Sequence, residues 1–132
     1  MILSRKLTVL AVLFGLLTFA IGDEAAKRPS TEKAVIVKGY VLDSACAFTK
    51  GLKKPISADC ATACAKGGSP LVILTPAGEI YWPISGDTPS TEQNSKLMPF
   101  AGQKVTATGK VFKRGGSEAM VIDHVEAQVA AK

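Results

Sequence analysis

Cys46, Cys60 and Cys64 are the three cysteines of this 132-residue chain, and they sit close together in the sequence. Three soft sulfur atoms offer three kinds of chemistry. Two can oxidise to a disulfide and leave one thiol spare; all three can ligate a soft ion such as Cu(I) or Zn; or one can act as a redox nucleophile. Cys60 and Cys64 are spaced Cys-x-x-x-Cys within Ser57–Lys66. On a regular helix that spacing puts the two Cβ atoms ~5–6 Å apart on one face, whereas a disulfide needs Cβ atoms ~3.5–4.5 Å apart. The two therefore do not pair unless the helix bends. Cys46 is the expected partner of Cys60 or of Cys64, and the spacing does not say which. Such a bridge would clamp the helix to the rest of the domain.

In the metal-binding alternative, Met98, Met120 or His124 would be an extra ligand and Asp43 would orient the segment that brings in Cys46. Outside that alternative, Asp43 reads as a cap on the turn after the first strand. The redox alternative has a weaker motif, because thioredoxin-type pairs are Cys-x-x-Cys, one residue shorter. The chain holds no Cys-x-x-Cys-His, no second cysteine pair for a zinc ribbon, no His-Glu-x-x-His, no phosphate loop and no Gly-x-Gly-x-x-Gly. His124 is its one histidine. These features point to a non-catalytic binding or scaffold domain for a protein or small-ligand partner.

The N-terminus reads as an export signal. Arg5 and Lys6 precede an apolar run from Leu7 to Ile21, and Ala20-Ile-Gly22 is a small-x-small cleavage site. The run is shorter than the ~20 apolar residues a membrane span needs, so cleavage after Gly22 is expected rather than an uncleaved anchor. Residues 1–22 are then the signal, 23–33 a polar leader and 34–128 the domain, which places the mature protein in a bacterial periplasm or outside the cell. Cleavage removes Arg5 and Lys6 and no acidic residue, leaving 14 basic against 11 acidic side chains, a net charge of +3. That is an ordinary solubility charge and no nucleic-acid footprint. The Lys50, Lys53 and Lys54 cluster reads as a solvated loop.

The elements that must position the cysteines follow from pattern. Ala34–Leu42 reads as a strand apolar on both faces. Ser57 or Asp59 caps a short alanine-rich helix that runs to Lys66 and stops at Gly67-Gly68. Leu71–Thr75 and Glu79–Ile84 read as strands joined by a Pro76-Ala-Gly78 hairpin turn. A turn-rich segment then leads to one helical turn, Ser95–Met98. Gln103–Lys113 alternates, with Val105, Ala107, Gly109 and Val111 facing one way, and a glycine inside such a strand marks a bulge or bend. Glu118–Gln128 is the last strand. Five short strands with glycine bends predict a mainly β fold, a small five-stranded barrel of the oligonucleotide/oligosaccharide-binding type, with the cysteine helix inserted after strand one. Tyr40, Tyr81, Trp82 and Phe112 are strand aromatics that read as packing residues. Tyr81 and Trp82, being adjacent, point to opposite sides of their strand.

Several segments resemble a loose group of small exported bacterial proteins, mostly without assigned activity: Gly39-Tyr-Val-Leu-Asp43-Ser-Ala-Cys46, Cys60-Ala-Thr-Ala-Cys64-Ala-Lys-Gly-Gly-Ser-Pro70 and Val105-Thr-Ala-Thr-Gly109-Lys-Val111. The resemblance covers roughly residues 35 to 127 and implies the barrel and the exported location. Many members of that group carry a histidine just before the first helical cysteine, where this chain has Ser57.

Overall fold

The computed structural model describes residues 34–53 and 56–129. The signal and leader assigned above lie outside the described residues. Five strands form a closed barrel: β1 (Val35–Asp43), β2 (Leu71–Leu74), β3 (Ile80–Pro83), β4 (Lys104–Arg114) and β5 (Ser117–Ala127). Around the barrel the order is β1-β2-β3-β5-β4, and β4 closes on β1. All pairings are antiparallel except β3 with β5. The predicted OB-like architecture is thus present.

Alternation fills the barrel. Val37 and Val41 of β1, Leu71 and Ile73 of β2, Tyr81 of β3, Val105 and Ala107 of β4, and Met120 and Ile122 of β5 form one buried cluster. The strand β1 was expected to be covered on both faces. Cover on the second face exists only towards its end, where Leu42 packs with Ala47, Val72 and Leu74; Val35 and Ile36 are exposed. The register of β4 against β5 shifts between Thr108 and Gly109. A side chain at Gly109 would run into the Val121 carbonyl oxygen, so the bulge requires glycine there.

Two helices, not one, separate β1 from β2. The first, α1 (Ser44–Thr49), carries Cys46. The cause is local: the Asp43 carboxylate accepts the Cys46 amide at 3.1 Å and caps the turn. Thr49 Oγ1 donates to the Ala45 carbonyl at 2.7 Å. The second, α2 (Ala58–Lys66), begins at Ser57, whose Oγ accepts the Cys60 amide at 3.2 Å. It ends as predicted: the Gly68 and Ser69 amides donate back to the Ala65 and Cys64 carbonyls, and Gly68 takes a positive φ. Ala61 and Ala65 are its buried residues, and Ala65 joins the barrel core. Gly102, at φ +74, lies so close to Ala58 that a Cβ would collide with its backbone. The start of α2 therefore rests on the turn before β4.

The predicted helical turn near Leu97 is α3 (Asn94–Leu97), continued by a 3-10 turn at Met98–Phe100. Leu97 is fully buried. No helix among the described residues is long and apolar enough to cross a membrane.

Candidate functional site

The Asp43 side chain is the anchor of the cysteine corner. It is 3% exposed, at the point where β1 ends and α1 begins. Its Oδ1 accepts the Cys46 amide and, at 3.5 Å, the Ser69 hydroxyl. Ser69 stands three residues past the last residue of α2, its amide bonded back to the Cys64 carbonyl, and the neighbouring Pro70 carbonyl accepts the Ser44 amide at 2.8 Å. One carboxylate thus ties together the starts of α1 and β2 and the end of α2. Sequence reasoning assigned Asp43 a capping role, and it is the cap of α1. The Ser69 contact spans 26 positions and has no local signature.

Asn94 is a second tie that the sequence did not single out. Its Oδ1 accepts the Leu71 amide at 2.7 Å and its Nδ2 donates to the Ser69 carbonyl at 2.8 Å. The side chain pairs with the backbone much as a neighbouring strand would, and it fixes the first residue of β2.

The three cysteines converge on this corner as free thiols. Cys60 is exposed, and Cys46 and Cys64 are partly exposed. Cys60 and Cys64 lie 4.2 Å apart on α2 and are not bonded. Cys46 and Cys60 line one cavity of about 100 Å³ together with Leu42, Asp43, Lys50 and Ala61. Cys64 does not line it.

The electrostatics of the corner are set by Asp43. Burial would raise its own pKa. The hydrogen bonds from the Cys46 thiol and amide, the Ser69 hydroxyl and the Ala45 amide outweigh burial and hold the carboxyl below its ordinary value. The same carboxylate acts on the thiols. It accepts a hydrogen bond from the Cys46 thiol and so pushes the Cys46 pKa up, with burial adding to this and Lys50 opposing it. Its charge pushes Cys64 up as well, followed by burial and the neighbouring Cys60. Thiols held protonated beside a carboxylate are poor nucleophiles, since the thiolate is the reactive form.

The further ligand candidates lie elsewhere. Met120 is fully buried in the barrel core and Met98 packs against that core. His124 is exposed on β5, opposite Thr108 and 3.7 Å from Glu126. Among the described residues no group of three His, Cys, Asp or Glu side chains is arranged to hold a metal ion. The three thiols would have to turn toward one point to enclose Cu(I) or Zn. Comparison with protein-family models, with curated proteins and with solved structures finds no match to this chain.

Proposed function

We propose that this chain is a small exported binding or scaffold domain whose cysteine corner is a structural clamp, closed by a Cys46–Cys60 disulfide with Cys64 as the spare thiol. The observation that carries this reading is the shared cavity: Cys46 on α1 and Cys60 on α2 line it together, and Cys64 does not. Spacing alone left Cys60 and Cys64 equal as partners of Cys46. In an oxidising compartment outside the cytoplasm such a pair forms and persists. The loop that it closes, ~15 residues, corresponds to about 3 kcal/mol of stabilisation in the chain-entropy model. A buried carboxylate that suppresses thiolate formation suits a lasting bridge better than a reactive redox thiol. The kinship with small exported bacterial proteins belongs to the same proposal.

The test is protein exported with its own leader and purified without reductant or chelator. Thiols are titrated under denaturing conditions and metals are measured on the same sample. One thiol per chain and no bound metal is the expected result. Stoichiometric copper or zinc, with three titratable thiols after its removal, would overturn the clamp and make the trio a soft-metal site. Metal-free protein with three reduced thiols would leave the redox reading.

A further inference from the structure

The lysine cluster that follows α1 meets an exposed apolar tip in the fold. Phe48, the penultimate residue of α1, is 65% exposed, and Leu52, four positions on, is 37% exposed. The backbone between them is held in tight turns. The Lys50 and Gly51 amides both donate to the Cys46 carbonyl, at 2.9 and 3.1 Å, and the Lys53 amide donates to the Lys50 carbonyl at 3.3 Å. The Phe48 ring lies against Trp82, with centroids 6.1 Å apart and planes tilted by 35°. Trp82 in turn packs on the buried cluster of Leu42, Ala47, Val72 and Leu74. The tip is therefore rooted in the outer face of the barrel.

Charge at this tip is one-sided. From Ser44 to Ala58 the chain carries Lys50, Lys53 and Lys54 and no acidic residue. Lys50 and Lys53 are exposed, and among the described residues neither makes an ion pair. The acid that precedes α1, Asp43, is buried and bonded to Cys46 and Ser69. The exposed acids on the adjoining elements are Asp59, in the first turn of α2, and Glu92, which lines a hollow with Trp82. The three lysines outnumber them.

A single exposed apolar side chain is ordinary on a protein surface. An aromatic anchor within a run of lysines is a different pattern. Ammonium heads are drawn to an anionic surface, lysine stems let those heads stay among headgroups while apolar neighbours sink deeper, and aromatic rings favour the membrane–water interface. Two exposed apolar side chains are too few for a stable protein interface of ~1,000 Å². One shallow apolar anchor and one basic patch are the two signals that reversible membrane-surface binding needs. We propose that the tip of α1 docks on a bilayer surface rich in anionic phospholipid. Phe48 and Leu52 enter the interface, and Lys50, Lys53 and Lys54 meet the lipid phosphates. This proposal is independent of the thiol clamp.

The probe is vesicles of phosphatidylglycerol and phosphatidylcholine in equal parts, mixed with the exported protein; pure phosphatidylcholine vesicles are the control. Flotation measures the bound fraction, and the emission of Trp82, the single tryptophan, reports from beside Phe48. The expected result is binding to the anionic vesicles with blue-shifted emission, release at high salt, and little binding to the neutral ones. Lys50→Gln and Lys53→Gln should each weaken partitioning about fivefold. Phe48→Ser should weaken it about tenfold, with the circular dichroism unchanged. Lys66→Gln, at the end of α2, changes the net charge equally and should leave partitioning as it was. No binding to either vesicle, equal binding to both, or binding that the three tip variants leave intact would overturn the proposal. A Trp82 response to polyglutamate without vesicle binding would give the tip to an acidic protein and overturn it as well.

Discussion

Replacing Asp43 separates its two roles, as a cap and as a charge beside the thiols. Asp43→Ala removes the acceptor of the Cys46 amide, the cap of α1; caps of this kind are worth about 1 kcal/mol. It also leaves the part-buried Ser69 hydroxyl without its acceptor, which adds about 1–2 kcal/mol. The reduced protein should therefore lose about 2–3 kcal/mol in urea unfolding at neutral pH. Asp43→Asn keeps a carbonyl in the cap position and should lose about 1 kcal/mol or less. The charge has its own signatures. Because the folded carboxyl is held below 3.8, its contribution is complete above that value and is lost as pH falls through the lower, folded pKa. Asp43→Asn should flatten that acid limb. Removing the charge also removes what pushes Cys46 and Cys64 up, so site-resolved alkylation of the reduced variant should shift to lower pH at both cysteines. The reasoning fails if Asp43→Asn leaves both alkylation profiles where they were, or if it destabilises as much as Asp43→Ala.

Other positions give equally definite expectations. Asn94→Ala removes two backbone ties at Leu71 and Ser69 and should cost about 2 kcal/mol in chemical denaturation; a cost near zero would show that water replaces them. Gly109→Ala would press a methyl on the Val121 carbonyl at the bulge and should cost about 1–3 kcal/mol, read as a lowered melting temperature. Tyr81 is buried in the barrel, its hydroxyl 3.5 Å from Glu79 Oε2. Burial first, and then the carboxylates of Glu118 and Glu79, raise its pKa above the ordinary 10.0. Folding stability should be full below pH 10.0 and decline as pH rises toward the folded pKa, and Tyr81→Phe should abolish that alkaline decline.

What could be read from the chain, and what could not, divides by range. The alternation of Val105, Ala107 and Gly109 with Thr106 and Thr108 announced β4 and its bulge because both signals are local. The cap at Ser57 and the stop at Gly67-Gly68 announced α2 for the same reason. Six residues, Ser44–Thr49, are too few to show a helical period, so α1 went unseen. The signal that could have found it was Asp43 three places before Cys46, the spacing of a helix cap. The apolar residues on both faces of β1 suggested cover throughout. The cover is supplied from outside the strand, by Ala47 of α1 near Leu42, and it ends before Val35 and Ile36. Among the site residues, the cysteines were conspicuous by type. The ties that gather them, Asp43 to Ser69 and Asn94 to Leu71 and Ser69, cross 23 to 26 positions and leave no pattern in the sequence.

The central claim is tested most directly by mapping the bridge in protein exported and alkylated before any reductant is added. Cleavage at Lys38, Lys50, Lys53 and Lys66 places Cys46 in one peptide and both helical cysteines in another, and fragment ions separate Cys60 from Cys64. The account predicts the two peptides cross-linked through Cys46 and Cys60, with the alkyl label on Cys64 alone. Label on all three cysteines, or a bridge from Cys46 to Cys64, would contradict it.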